Sequence, residues 1–230
     1  MAWVMPDNTL VGFAQLAGEG NRERTREVAL SIVKLTVVLA GLPACIILAV
    51  NPGFVGFWVG PSFFGGVPLN LLLAVEIITG SMVHALATVV SVNGNRLQVG
   101  TAVLLQGALF IATALAFSRW RLLEGLVLAD LVAPLLTTVP TCLFLLRSRL
   151  GVNVRTLVRE TTSIVLFQAG PCLILAAMYG WLRAQKASLA ELAVAGALVV
   201  AIYLRLLSAQ ILTFPLPPVV LVWLKRFRLV

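Results

Sequence analysis

The chain has 230 residues, 60% of them hydrophobic and 11% charged, and its mean hydropathy is +1.02. A soluble domain is roughly 45–50% apolar, so this is the composition of a membrane protein. The net charge of +8 does not point to nucleic acid, because Lys and Arg are spread between apolar segments rather than gathered on one surface with stacking aromatics.

Residues 1–18 are too short and too interrupted to cross a bilayer, and read as the tail end of a helix whose earlier part is missing. Pro6, Asp7 and Asn8 stand where a signal peptide would carry its apolar run, and no positive region precedes them. Residues 19–27, EGNRERTRE, form a solvated charged segment leading to a first span at 28–50. Lys34 lies near the entrance of that span, where its stem can snorkel and hold the ammonium among headgroups.

Residues 51–66, NPGFVGFWVGPSFFGG, are free of charge and rich in proline and glycine. They read as a hairpin between spans, with Phe54, Phe57, Trp58, Phe63 and Phe64 suited to the membrane-water boundary. Further spans follow at 67–91, 98–117, 122–146, 161–182 and 189–212. Each is long enough for roughly 30 Å of hydrocarbon at 1.5 Å per residue. A turn through Asn93 and Arg96 separates the second span from the third, and residues 147–160 form the longest polar loop. The chain thus divides into a charged lead at 1–27, a six-span bundle at 28–212 and a tail at 213–230. Pro215, Pro217 and Pro218 end the last span, and Trp223, Lys225, Arg226 and Arg228 suit an interfacial anchor on anionic lipid.

Counting cations on alternate sides of six spans gives a lopsided result. Arg22, Arg24, Arg26, Lys34, Arg96, Arg147, Arg149, Arg155, Arg159, Arg205, Lys225, Arg226 and Arg228 fall on one side, and only Arg119, Arg121, Arg183 and Lys186 on the other. The richer side is expected to be cytoplasmic, with both termini inside and the aromatic hairpin outside. Trp120, Tyr179 and Trp181 would join the outer aromatic belt.

Ionisable residues within spans mark candidate sites, since each costs roughly 2.5–3.5 kcal/mol at the centre of a span. They are Glu76, His84, Asp130 and Arg205. Glu76, Gly80, His84, Ala87 and Ser91 recur at three- and four-residue steps, which places them on one face of the second span. That face either lines a watery cavity or packs on a neighbour. His84 alone fits a packed polar residue better than a proton relay. Asp130, Pro134, Thr137 or Thr138, and Thr141 repeat the pattern in the fourth span. Pro134 and Pro140 there leave the Asp130 and Leu136 carbonyls without their helical donors, which predicts a kinked, movable helix. Pro43 and Pro171 would act likewise in the first and fifth spans. Gln106 and Thr113 share a face of the third span and are placed to hydrogen-bond across helices. Arg205 suits snorkelling or a bidentate contact with phosphate.

No catalytic residue, metal site or cofactor motif emerges. Cys45, Cys142 and Cys172 all lie in apolar runs without CxxC spacing, which suits small buried hydrophobes better than disulfides or zinc ligands. GxSxG, GxxxxGK[ST] and HExxH are all missing, and the few acids are not paired with a base, which argues against an enzyme.

The stretch from Gly12 to Gly66 resembles the bacterial O-antigen and polysaccharide flippases of the multidrug, oligosaccharidyl-lipid and polysaccharide exporter (MOP) superfamily. The resemblance is carried by the RER-like run at Arg22 to Arg26 and by PGFVGFWVGPSFFGG at Pro52 to Gly66, with FWVG its most specific element. Beyond that it rests on composition and helix spacing to about Leu212. It implies an all-α integral membrane protein whose six transmembrane helices match the second lobe of such a transporter, in the bacterial inner membrane. The implied function is transfer of undecaprenyl-pyrophosphate-linked oligosaccharide between leaflets by alternating access. The implied partners are that lipid-linked oligosaccharide, membrane lipids and a missing N-terminal lobe, and no nucleic acid. Within the same superfamily a cation-coupled drug exporter would use Glu76 and Asp130 to carry protons or sodium. An inactive membrane fragment or scaffold is the third reading.

Overall fold

The computed structural model describes residues 4–93, 96–119, 121–183 and 188–211. The tail 213–230, Asn95, Trp120 and Lys186 lie outside the described residues. The described residues are helical with short connections. The helices are α1 (Val4–Gly18), α2 (Arg22–Trp58), α3 (Gly66–Val92), α4 (Arg96–Phe117), α5 (Leu122–Leu136), α6 (Thr138–Leu150), α7 (Val154–Ser163), α8 (Gly170–Arg183) and α9 (Leu189–Ile211). A short 3₁₀ turn, Pro61–Phe63, precedes α3, and a π-helical segment, Ile164–Ala169, joins α7 to α8. Five helices are long and apolar enough to cross a membrane, or six if the bent pair Val154–Leu166 and Gly170–Leu182 is one span.

The centre of the bundle is α2. Its 37 residues extend about 55 Å at 1.5 Å per residue, well beyond the roughly 30 Å of a hydrocarbon core. Apart from Val38, its buried positions fall on two adjacent four-residue ladders. One runs Thr25, Ala29, Val33, Val37, Gly41, Cys45, Ala49 and Gly53, and the other Ile32, Thr36, Ala40, Ala44, Leu48 and Pro52. Such ladders form the ridges onto which other helices pack. Because many of these residues are small, partner backbones can come close, which is how helices associate where lipid removes the hydrophobic drive. All the other helices except α4 and α5 pack on α2, and α4 and α5 pack on each other.

Two core clusters divide the bundle lengthwise. The first gathers Ala29 and Val33 of α2, Leu86 and Val90 of α3, Val99 of α4, Leu145 and Leu146 of α6, and Val152 and Leu157 at the α6–α7 corner. The second gathers Ala44 to Ala49 on the far half of α2 with Ala74, Cys172, Ala176 and Tyr203. The first cluster therefore joins the ends of α2, α3, α4, α6 and α7 that carry Arg22, Arg24, Arg26, Arg96, Arg147, Arg149, Arg155 and Arg159. These cations sit at one end of the bundle, as the alternation of spans requires. The aromatic end lies opposite. There Phe57, Trp58 and Phe63 are exposed, and Phe54 and Trp58, one helical turn apart, bring their rings to 5.4 Å. Trp181 is exposed as well, and Tyr179 is half-buried.

Several expected boundaries are corrected. The charged residues 22–27 are largely exposed, as expected, but they form the first turns of α2 rather than a lead before it, because Asn21 caps the helix by accepting the Arg24 N–H at 3.1 Å. The hairpin starts later than Asn51. Pro43 and Pro52 both stand inside α2, which continues to Trp58 before the chain turns at Gly60, φ 111°. Pro52 cannot donate to the Leu48 carbonyl, and Gly180 of α8 packs against that oxygen so tightly that an added Cβ would overlap it. The neighbouring helix thereby covers the carbonyl that proline leaves exposed, and the helix persists. The polar loop 147–160 is instead an α6 end, a tight turn and an α7 start. Gly151 closes α6 in the left-handed region, φ 63°, with its N–H on the Arg147 carbonyl, and Asn153 caps α7 by accepting the Thr156 N–H. The fourth span is interrupted at Thr137, between α5 and α6, where the Thr137 hydroxyl donates to the Ala133 carbonyl at 2.7 Å, yet Leu122–Leu150 still forms one span. The fifth span is broken by the π-helical segment directly ahead of Pro171, and its two parts meet at 40°.

Gly180→Ala is expected to lower stability by about 1–3 kcal/mol through overpacking against α2, whereas Gly107→Ala, with open space around its Cβ position, should leave it unchanged or raised. Thermal melting of the two purified variants in detergent checks the contrast, and equal melting temperatures would contradict the close α2–α8 approach.

Candidate functional site

Glu76 and Asp130 come together. Glu76 lies midway along α3 and is half-buried, Asp130 lies on α5 and is exposed, and the two carboxyl groups are close enough for their charges to interact. The packing of α3 on α5 makes this pairing, because the third and fourth spans turn back tightly through Gly125, whose Cβ position would overlap the Phe117 backbone.

His84 stands two turns beyond Glu76, about 12 Å along α3. Its Nε2 lies 3.0 Å from Asp7 Oδ1 on α1. The pair is open to its surroundings, with side-chain exposures of 34% for His84 and 59% for Asp7. His84 is thus neither a packed core residue nor an isolated one, but the point where α1 is tied to α3. The α3 face bearing Glu76 and His84 runs between α1 and α5, both of which pack on α3. The result is an open polar seam carrying Asp7, His84, Glu76 and Asp130.

Arg205 does not join this group. It is exposed on α9, which packs on α2, α8 and the π-helical segment rather than on α3 or α5. Along the face expected of Asp130, Pro134, Thr137 or Thr138, and Thr141, Asp130 is exposed, Thr137 and Thr141 are half-buried, and Pro134 and Thr138 are buried. Thr138 donates to Gln106 Oε1 at 2.6 Å, the cross-helix bond expected of Gln106. Thr113 bonds only to carbonyls of its own helix, Leu109 and Phe110. Among the described residues no three His, Cys, Asp or Glu side chains gather to hold a metal ion.

Other polar contacts were readable as residue types but not as pairs. Lys34 meets Glu160 Oε2 at 2.5 Å, tying α7 to α2 in place of simple snorkelling. Asn70, 4% exposed, accepts from Asn51 Nδ2 at 2.9 Å and donates to the Ile47 carbonyl at 3.3 Å. Tyr203 is buried and donates to the Val38 carbonyl at 2.6 Å, lying over Gly41, where a Cβ would overlap its hydroxyl. An Asn and a Tyr in apolar runs are themselves signals, because buried polar groups in a membrane need partners. Asp7 gave no such signal, since it lies in a segment too short to span.

Comparison with known families, with curated proteins and with solved structures yields no match. What fold and seam define is a class: an all-helical, multi-pass membrane protein with ionisable side chains on an open face of its bundle.

In a background lacking Cys45, Cys142 and Cys172, Glu76→Cys with Asp130→Cys should link through a short bifunctional thiol reagent, and Glu76→Cys with Arg205→Cys should not. Gel mobility after limited proteolysis between α3 and α5 reads the link. Linking of the second pair with equal efficiency would contradict this packing.

Proposed function

We propose that the chain is one lobe of a membrane transporter that carries lipid-linked oligosaccharide between leaflets for surface polysaccharide synthesis, with its basic end in the cytoplasm. The observation that carries this reading is the open polar seam of α1, α3 and α5. Charged groups are costly against lipid, and a seam of them along a bundle face calls for a second lobe, or a second copy, that would enclose it with water. Three features support movement. The helix pair α5–α6 is broken at Thr137, the α7–α8 pair bends by 40°, and a π-helical segment sits at that bend, as such segments often do at functional sites. The FWVG element and the RER-like run supply the link to the flippases. Arg205, exposed on α9, is outside the seam, so a substrate diphosphate would meet it only from another side of the bundle.

A cation-coupled exporter of the same superfamily is favoured by one observation, the interaction of Glu76 with Asp130. In that reading the pair takes up a proton or sodium ion on one side and gives it up on the other, and the cargo is a soluble cation.

Glu76→Gln with Asp130→Asn separates these readings in a strain whose surface polymer depends on this chain. A flippase lobe should lose roughly tenfold or more of surface polysaccharide while inserting normally, the scale of a coupling free energy of 1–3 kcal/mol. Unchanged polymer at normal insertion would reject transport by this seam and leave a scaffold or inactive fragment. Cation uptake by vesicles, abolished by the same changes, would identify the exporter.

A further inference from the structure

The corner between α6 and α7 carries four arginines, Arg147 and Arg149 in the last turn of α6 and Arg155 and Arg159 on α7. All four are exposed, and among the described residues none forms an ion pair. The one carboxylate on α7, Glu160, is held by Lys34. Positive charge is therefore concentrated here without internal compensation.

The same corner forms an open surface hollow of about 500 Å³, lined by Arg147, Gly151, Val152, Asn153, Val154 and Arg155, with no carboxylate among these residues. Its floor is anchored, because Val152 is 2% exposed and belongs to the first core cluster. The αL turn at Gly151 and the Asn153 cap fix the two flanking helices. Depth is set by the preceding helix pair, Leu122–Leu150, which is long and apolar enough to cross a membrane and ends at this turn. α7 in turn buries Leu157 and Thr161 against the bundle while exposing Arg155 and Arg159, so its cations face outward at this corner.

We infer that this corner binds the headgroup of an anionic phospholipid, with the phosphodiester between Arg147 and Arg155 and with Arg149 and Arg159 adding attraction from the rim. Guanidinium forks match phosphate oxygens in a two-bond geometry, and cations at this depth gain from the surface potential of anionic lipid. The site is independent of the transport reading and requires only that the basic end of the bundle lie at a membrane surface.

The full chain, purified in a neutral detergent, is titrated with dioleoylphosphatidylglycerol or dioleoylphosphatidylcholine while bound lipid is counted by native mass spectrometry. The anionic lipid should be retained and the zwitterionic one lost. Arg147→Gln with Arg155→Gln should weaken retention roughly twenty-five-fold, from about a factor of five per arginine, while Arg119→Gln, from the opposite end of the bundle, should change it little. The Arg147→Lys, Arg155→Lys pair, which keeps the charge but loses the guanidinium fork, should fall between the wild type and the glutamine pair. Equal retention by the wild type and the glutamine pair would overturn the site. So would inorganic phosphate competing as well as the lipid at equal concentration, since a free anion would then be the ligand. Should the glutamine pair fail to fold, the wild type decides alone: retention that falls steeply between low and high salt supports the site, and retention indifferent to salt removes it.

Discussion

The structure depends on the close approach that the small residues of α2 allow. Ala29, Ala40, Gly41, Ala44, Ala49 and Gly53 present little side chain along two ladders, so neighbouring backbones contact α2 directly. In lipid this is the main source of association, because apolar side chains gain little by leaving lipid for protein. Gly180 on the Leu48 carbonyl and Tyr203 over Gly41 are the two tightest instances. Both place a partner against the α2 backbone, where no larger side chain would fit.

Once α2 is fixed as the centre, the two ends of the bundle acquire different chemistry. The basic end is closed by a packed cluster and by the Lys34–Glu160 bond at 2.5 Å, and it leaves the arginines of the α6–α7 corner facing outward. The aromatic end exposes Phe57, Trp58 and Phe63. Between them the polar seam of α1, α3 and α5 interrupts what would otherwise be an apolar surface. Two pairs meet there: His84 lies 3.0 Å from Asp7 of α1, and Glu76 is within electrostatic reach of Asp130 on α5.

Much of this was legible in the residues, and the parts that were not share a cause. The apolar spans, the alternation of cations and the Gln106 cross-link follow from local periodicity and from the cost of polar groups in lipid. The end of α2 did not follow, because Pro52 breaks a helix only when no neighbour covers the Leu48 carbonyl that it orphans. That cover comes from Gly180, over a hundred residues away in the chain. The pairing of Asp7 with His84, of Lys34 with Glu160 and of Asn51 with Asn70 was likewise hidden, since spacing along one helix says nothing about which helix stands beside it. Glu76 and Asp130 were recognised singly for their cost and became a pair only through the packing of α3 on α5. Arg205 carried the same cost signal but stands apart, which shows that a charge in an apolar run marks a polar surface without saying which one.

The most direct test of this description is the length of α2. Spin labels at Arg24→Cys and Phe57→Cys, in a chain lacking Cys45, Cys142 and Cys172, should be separated by about 50 Å at 1.5 Å per residue, measured by pulsed dipolar spectroscopy. A dominant distance of about 40 Å or less would mean that the helix turns back at Asn51 and Pro52, and the packing arranged around an unbroken α2 would be contradicted.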